Sequence, residues 1–186
     1  MTRFFDIIFS FTLIIILTFP SIIIILYLFI IAKGKVFFLS KRIGINSSIF
    51  YMYKFRTMKK NTPDVATHLL ENPNSYLLPF GNFLRKSSLD EIPQLINILK
   101  GDMCFIGPRP ALYNQYDLMD LRIKYGIHKQ KPGITGWAQI NGRDSISIID
   151  KVELENYYMK NKNIFFDIKI IYLTIFKILK TKDVSH

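Results

Sequence analysis

The sequence predicts a mainly helical α/β fold with a small sheet, held to a membrane by its N-terminal segment. Three features of the 186-residue chain support this class: a long apolar run near the N-terminus, two short segments typical of β-strands, and an amphipathic C-terminal segment. The chain is 49% hydrophobic and carries a formal net charge of +11. Such a composition indicates a partner that is an anionic lipid, a nucleic acid or a phosphorylated substrate.

The N-terminal run is predicted to be a membrane anchor. Residues 4–32 are apolar almost throughout, and Asp6 is the one charged residue among them. A helix of this length, rising about 1.5 Å per residue, is long enough to cross a hydrocarbon core of roughly 30 Å. The run is too long for a signal peptide and continues into Lys33-Gly34-Lys35 without a cleavage site. We assign residues 1–32 to the anchor and residues 33–186 to one domain on the cytoplasmic side, because basic residues follow the run.

Pro20, near the middle of the anchor, decides its expected shape. Proline removes one helical hydrogen bond, so a kink is expected there, with Ser21 and Thr18 satisfying part of the freed backbone. Polar residues at both ends allow a re-entrant helix that returns to the same membrane face. Proline also occurs in spanning helices, so the residues alone leave both topologies open.

The domain after the anchor begins with strand-like segments and ends with a helix. Residues 36–39 and 49–55 are predicted strands, and residues 59–76 are a predicted loop with a helical turn near 65–70. Apolar residues recur at intervals of three and four over residues 164–182, interleaved with lysines. This pattern predicts an amphipathic helix, and the anchor favours membrane-surface contact over packing in a core.

Two adjacent carboxylates, Asp90 and Glu91, are the strongest candidates for chemistry, because arginines lie on both sides of them in sequence. Proline is tolerated in the first turn of a helix, so Pro93 indicates a helix start. With Asp90 as cap, the helix would run to Lys100 and end at Gly101, and the dipole would stabilise negative charge at Asp90. The structural alternative is an ordinary N-cap followed by a first-turn acid.

Two further loops carry arginines in rigid surroundings. Arg109 lies between two prolines in Gly107-Pro108-Arg109-Pro110, which suits a phosphate clamp. Residues 131–143 hold three glycines, a tryptophan, two amides and a terminal Arg143. Either loop alone is compatible with a structural turn. The single cysteine, Cys104, excludes an intramolecular disulfide and is expected to be a buried small hydrophobe in a reducing compartment.

Taken together and in this order, these segments resemble the bacterial sugar transferase family, small monotopic phosphoglycosyl transferases. The resemblance covers nearly the whole chain, which looks like the minimal form without a further N-terminal membrane domain. Relatives often carry Ser before the membrane proline and Asp at position 155, where this chain has Phe19 and Glu155. The matching residues are Pro20, Arg42, Gly44, Lys54-Phe55-Arg56-Thr57-Met58, Arg85, Ser88-Leu89-Asp90-Glu91, Gln94-Leu95, Leu99-Lys100-Gly101-Asp102-Met103, Gly107-Pro108-Arg109-Pro110 and residues 132–143.

The resemblance implies an activity: transfer of a sugar 1-phosphate from a UDP-sugar to undecaprenyl (polyprenyl) phosphate, with release of UMP. Asp90 would be the nucleophile that holds the phosphosugar covalently, and Glu91 would bind Mg²⁺ together with Asp90. The residues expected to hold phosphates are Arg85, Arg109 and Arg143, with Lys54 and Arg56 as helpers.

The resemblance also implies a location. It favours the re-entrant anchor, with Pro20 and Ser21 at the helix break, and therefore a monotopic protein with amphipathic surface helices. The enzyme would act at the cytoplasmic face of the bacterial inner membrane, in the first membrane step of glycoconjugate synthesis. The bilayer is then a partner and nucleic acid is not, while the sugar and the oligomeric state are not predicted.

Two rival functions share some of these features. A membrane-anchored basic adaptor without catalytic activity accounts for the charge and the anchor, but not for the paired acids between arginines. A polyprenyl diphosphate phosphatase would use the same phosphate pocket and admit water in the second step. Release of inorganic phosphate rather than UMP would identify the phosphatase.

Overall fold

The computed structural model describes residues 3–63, 70–142 and 146–180. Within them the protein is mainly helical with two small sheets, which confirms the predicted α/β class. The elements, in chain order, are α1 (Arg3–Ile31), β1 (Phe37–Ile43), β2 (Ile49–Phe55), α2 (Gly81–Lys86), α3 (Gln94–Lys100), β3 (Cys104–Ile106), α4 (Tyr116–Lys124), β4 (Gly133–Thr135), α5 (Trp137–Ile140), α6 (Ile148–Asn161) and α7 (Ile164–Lys180).

Helix α1 is long and apolar enough to cross a membrane, which is consistent with the predicted anchor. It continues through Pro20 as one helix of 29 residues. Because Pro20 has no N–H, the Ile16 carbonyl loses its usual helical donor. The Thr18 hydroxyl does not replace that donor, since it donates to the Ile14 carbonyl at 2.7 Å. The expectation that Thr18 satisfies the freed backbone is wrong.

Both ends of α1 contact the remainder of the domain. At the start of α1, the Arg3 guanidinium donates to the carbonyls of Ile98 and Leu99, which lie in the last turn of α3. At the other end, Leu28 is fully buried in the core, and the Tyr27 hydroxyl donates to the Pro79 carbonyl at 2.9 Å. The helix is therefore tied along its length to one body, while much of its apolar surface remains exposed.

The strands form two separate sheets. β1 and β2 pair antiparallel, with Phe37 opposite Phe55 and Ile43 opposite Ile49. The bounds predicted for β2 are confirmed, whereas β1 is longer than predicted because its pairing continues past Leu39. β3 and β4 form a short parallel pair, so β4 and α5 lie within the predicted loop at residues 131–143.

Helix α3 lies at the centre of the domain, between α1 and the β1–β2 hairpin. Leu95 and Ile98 of α3 are buried against Phe50 and Met52 of β2, and residues of α1 cover the same cluster. Side chains at alternate positions of a strand share a face, so Lys54 lies on the inner side with Phe50 and Met52. This packing brings Lys54 next to the segment that precedes α3.

The predicted C-terminal helix is present as α7. Ile170 is fully buried, whereas Phe165, Ile168, Tyr172 and Ile175 are exposed. An exposed apolar face of this kind agrees with the predicted amphipathic character. Residues 64–69, which include most of the predicted helical turn at 65–70, fall outside the described residues, as does Arg143.

Candidate active site

Asp90 and Glu91 belong to a short 3₁₀-helix, Leu89–Glu91, directly before α3. Asp90 is buried and Glu91 is partly buried. Helix α3 begins at Gln94 and has no side-chain cap, so the prediction that Asp90 caps this helix is wrong. The predicted end is confirmed, since Gly101 follows with a φ of 94°, a left-handed conformation that glycine adopts without strain.

The backbone before Asp90 makes a tight turn. Ser88 has a φ of 58°, which is uncommon for a residue other than glycine. The turn separates α2 from the 3₁₀-helix and leads directly into the two acids. Their location is thus set by the turn and by the buried helix α3 that follows.

Lys54 reaches both acids from strand β2. Its ammonium lies 2.7 Å from Glu91 Oε1 and 3.9 Å from Asp90 Oδ2. Burial lowers the pKa of Lys54, and the negative charges of Glu91 and Asp90 offset part of this effect. The predicted phosphate helper thus lies beside both candidate catalytic carboxylates.

Asn97 joins strand β2 to helix α3. Sequence reasoning missed this residue. Its side chain is fully buried. The amide oxygen accepts from the Tyr53 N–H at 2.9 Å, and the amide nitrogen donates to the Tyr51 carbonyl at 2.8 Å. Because Lys54 follows Tyr53 in the chain, these two bonds fix the strand that carries Lys54. A polar residue among the buried positions of α3 was the available signal.

Arg109 reaches Glu91 from the opposite side. Its Nη2 lies 3.5 Å from Glu91 Oε1, the same oxygen that pairs with Lys54. Two cations from distant segments thus converge on one carboxylate. Such a cluster offers positive charge to an anionic ligand, since guanidinium and ammonium groups both bind phosphate.

Arg85 is placed on the helix that adjoins the Asp90 turn. A Cβ on Gly81 would lie 2.4 Å from the Thr57 carbonyl oxygen, so the close approach that starts α2 there requires glycine. At the end of this helix, Arg85 contacts the sulfur of Met58 at 3.1 Å. The structure therefore places Arg85 near the segment after β2, and its phosphate role stays a prediction.

Arg56 makes its main contacts with the segment after the anchor. Its Nε donates to the Lys35 carbonyl at 2.9 Å, and its Nη2 donates to the Phe37 carbonyl at 3.1 Å. These bonds brace the start of β1 rather than Glu91. The helper role of Arg56 stays a prediction.

The chemistry of the donors fits a magnesium ion. Mg²⁺ prefers oxygen ligands, and it is often held by one or two carboxylates together with substrate phosphates and water. Asp90 and Glu91 supply two adjacent carboxylates. Among the described residues there is no cluster of three or more metal-ligating side chains.

Cys104 is partly buried rather than fully buried, and burial raises the pKa of its thiol to about 12. Two other residues were missed by sequence reasoning as functional candidates: Arg122 on α4 and its partner on α6, Glu155. Arg122 and Glu155 form a buried ion pair, and Arg122 also donates to the Arg109 carbonyl. Nothing in the local pattern marks them, because their partners lie 13 and 33 residues away in sequence.

The chain is similar to several curated proteins. It is 41% identical over 153 residues to an uncharacterized sugar transferase, EpsL, of Bacillus subtilis, covering 82% of this chain and 74% of that protein. It is 42% identical to UDP-glucose:undecaprenyl-phosphate glucose-1-phosphate transferase of Escherichia coli, covering 78% and 33%. It is 35% identical to UDP-N-acetylgalactosamine-undecaprenyl-phosphate N-acetylgalactosaminephosphotransferase of Aeromonas hydrophila, covering 80% and 36%. The match thus spans about a third of the two transferases with named substrates.

A family model described as bacterial sugar transferase matches residues 1–181. That range includes the anchor, both acids and every arginine discussed above. A match of this extent favours the transferase over the rival adaptor without catalytic activity. The chain belongs to the bacterial sugar transferase family and is a phosphoglycosyl transferase, as its motifs predict.

Proposed function

We propose that the protein transfers a sugar 1-phosphate from a UDP-sugar to undecaprenyl phosphate, with release of UMP. The activities for which the Escherichia coli and Aeromonas relatives are named support this substrate class. The observation that carries the proposal is the convergence of Lys54 and Arg109, at 2.7 Å and 3.5 Å, on the acid beside Asp90. Charge of this kind is what a diphosphate substrate needs, because phosphoryl transfer depends mainly on positioning and charge neutralisation.

In the first step, a carboxylate oxygen of Asp90 attacks the phosphorus that bears the sugar. The new O–P bond forms as the bond from that phosphorus to the bridging oxygen breaks, and UMP leaves with the bridging oxygen. In the second step, an oxygen of undecaprenyl phosphate attacks the same phosphorus and releases the Asp90 carboxylate. Covalent catalysis of this kind replaces one difficult transfer by two easier ones.

Lys54 lies between the two acids and contacts both of them. Lys54 lies 2.7 Å from Glu91 but 3.9 Å from Asp90. Glu91 also contacts Arg109, so its oxygen is occupied by two cations. We therefore propose that Glu91 orients these cations beside Asp90, the proposed nucleophile.

The cations have a matching task. Lys54 and Arg109 would bind the oxygens of the diphosphate and stabilise the charge that develops on the departing UMP. Arg85 and Arg143 are proposed to hold further phosphate oxygens. Mg²⁺, held by Asp90 and Glu91, would add charge neutralisation when bound.

The anchor is proposed to be monotopic and to enter and leave the bilayer on the cytoplasmic side of the bacterial inner membrane. A straight helix of 29 residues is about 43 Å long. If this helix spanned the bilayer, its two ends would lie on opposite sides of the membrane. Here Arg3 at one end and Tyr27 near the other bind the same domain. We propose that Pro20 and Ser21 mark the point at which the helix turns back in the membrane.

Cysteine labelling tests this topology. In a protein with Cys104→Ala, single cysteines at Phe4 and Lys35 are expected to react in inside-out membrane vesicles and not in intact spheroplasts. Both positions are exposed, which makes them fair reporters of the two ends. Reaction of one position from each side would show a spanning helix and overturn the proposal.

UMP release tests the reaction itself. The detergent-solubilised protein would be assayed with a panel of UDP-sugars, undecaprenyl phosphate and Mg²⁺. We expect release from at least one donor, and a loss of about 10³-fold or more in Asp90→Asn. Glu153→Gln is the matched control, since Glu153 is an exposed acid on α6.

A second measurement identifies the intermediate. With a donor labelled at the sugar-bearing phosphate and no acceptor, the label should stay on the wild-type protein and be absent from Asp90→Asn. Label on another residue would refute the nucleophile assignment. Release of inorganic phosphate from added undecaprenyl diphosphate, with no UMP from any donor, would instead identify the rival phosphatase.

A further inference from the structure

The loop that carries Arg109 is held by its carbonyl groups. Pro108 and Pro110 have no N–H to donate, so this loop cannot be fixed by a regular ladder of backbone bonds. Five consecutive carbonyls instead each accept a hydrogen bond from elsewhere in the chain. The pairs are Gly107 with Gln139 Nε2 at 3.3 Å, Pro108 with Gly133 N at 2.9 Å, Arg109 with Arg122 Nη2 at 2.9 Å, Pro110 with Arg42 Nη1 at 3.1 Å, and Ala111 with Ile43 N at 3.0 Å.

The bond to the Arg109 carbonyl comes from a charged side chain that is itself fixed. Arg122 is 4% exposed and Glu155 is 5% exposed. The guanidinium of Arg122 binds Glu155 through two bonds, Nε to Oε2 at 2.8 Å and Nη2 to Oε1 at 2.5 Å. Nη2 donates in addition to the Arg109 carbonyl, so one nitrogen joins the ion pair to the loop.

Stability alone is a poor explanation for this pair. Removing two charges from water is costly, and apolar residues of similar volume often pack as well or better in such places. Apolar residues could join α4 to α6, but they could not donate to the Arg109 carbonyl. The feature that requires a guanidinium here is therefore the bond to the loop.

We propose that Arg122, oriented by Glu155, is a positioning residue that sets the direction of the Arg109 side chain. The proposal rests on the proposed function, in which Arg109 binds a donor phosphate. The carbonyl and side chain of Arg109 share one Cα atom, so a shift of the loop backbone on loss of this bond would move the guanidinium relative to Glu91. A shift of about 1 Å in a catalytic group can cost on the order of 10²-fold in rate.

Kinetics in two backgrounds test the proposal. Arg122→Lys keeps the charge but not the planar fork, and Glu155→Gln keeps the shape but not the charge. Each is expected to lower kcat/KM for the UDP-sugar by about 10-fold to 10²-fold. In an Arg109→Ala background, the same substitutions should lower kcat/KM no further, because the group that they position is gone. Effects that multiply across the two backgrounds would show a general structural role and overturn the proposal.

The matched controls lie on the same two helices. Lys124 on α4 and Glu153 on α6 are exposed, so Lys124→Met and Glu153→Gln should leave kcat/KM within about twofold of the wild type. Melting temperatures of all variants separate loss of folded protein from misplacement of Arg109.

Hydrogen–deuterium exchange decides the proposal independently of activity. The peptide that contains residues 107–112 should exchange faster in Arg122→Lys than in the wild type or in Lys124→Met. Unchanged exchange would overturn the positioning role even if turnover falls. Absence of UMP release by the wild type would instead overturn the proposed function. The exchange result would still decide whether Arg122 positions the loop.

Discussion

Lys54 and Arg109 reach the same oxygen of Glu91 from two regions that are supported in different ways. Lys54 lies on a paired strand, and the neutral amide of Asn97 joins that strand to α3. Arg109 lies on a loop between prolines, and a buried ion pair holds its carbonyl. A strand already satisfies most of its backbone groups by pairing, so one amide is enough to fix it. In the Arg109 loop, Pro108 and Pro110 have no N–H, and three of the loop carbonyls accept from side chains, one of them the fixed guanidinium of Arg122.

The two regions also differ in how tightly their charges are bound. In the pair between α4 and α6, both side chains are 5% exposed or less and the closest contact is 2.5 Å. At the candidate site, the side chains of Glu91 and Arg109 are 11% and 22% exposed, and they are 3.5 Å apart. A longer and more exposed contact is easier for a phosphate to replace. This difference distinguishes the cations proposed to bind substrate from a cation that supports the fold.

The largest expected effect concerns the charge of Lys54. Lys54→Met should lower kcat/KM for the UDP-sugar by about 10²-fold to 10³-fold, because a buried cation beside the reacting phosphate is lost. In the wild type, burial lowers the pKa of Lys54, so the charge is lost as the pH rises through a value below the usual one for lysine. The alkaline limb of the pH profile of kcat/KM should therefore begin below the ordinary lysine range.

Lys54→Arg is the matched variant for this pH profile. Arginine stays protonated over the accessible range, so the alkaline limb should move to higher pH while part of the activity remains. The measurement is kcat/KM of both proteins from neutral to alkaline pH. An unchanged limb in the arginine variant would show that another group titrates.

A smaller effect is expected at the support of Lys54. Asn97→Ala removes bonds to the Tyr53 N–H and the Tyr51 carbonyl, and buried groups left without partners are costly. We expect the free energy of unfolding to fall by about 2–3 kcal/mol, measured by urea denaturation in detergent. Ile96→Ala is the control, since Ile96 is 45% exposed on the same helix. A loss in Ile96→Ala equal to that in Asn97→Ala would show that the amide contributes nothing specific.

The residues of the site differ in whether the sequence alone could predict them. Asp90, Glu91, Lys54 and Arg109 are identified because each lies in a short motif whose residue types suit phosphate chemistry. Asn97, Arg122 and Glu155 act through partners that are far away in sequence, 44 residues in the case of Asn97 and Tyr53. Such contacts depend on the packing of α3, α4 and α6, and a local pattern does not encode them.

The elements of the fold also divide into those that local sequence predicts and those that depend on distant contacts. Local signals predict β2, α7 and the end of α3 at Gly101, since alternation, apolar spacing and glycine act over a few residues. The helices α4 and α6 were not predicted. The cap of α6 has a readable local signal, the Ser147 hydroxyl that accepts from the Asp150 N–H at 3.1 Å. The stability of α6, however, comes from burial of Val152 and Tyr158 against distant elements.

The smallest effect is expected at Cys104, on the strand that leads to the Arg109 loop. Burial raises the pKa of its thiol to about 12, and the thiol contacts the Ile106 and Lys131 carbonyls at 3.2 Å and 3.4 Å. At pH 8 it is protonated, so it should react with a maleimide much more slowly than a cysteine introduced at exposed Lys124. Cys104→Ala should keep kcat/KM within about twofold of the wild type. Fast labelling of Cys104 in the folded protein would show that the region around the loop opens, and would contradict the closed support that distinguishes Arg109 from Lys54.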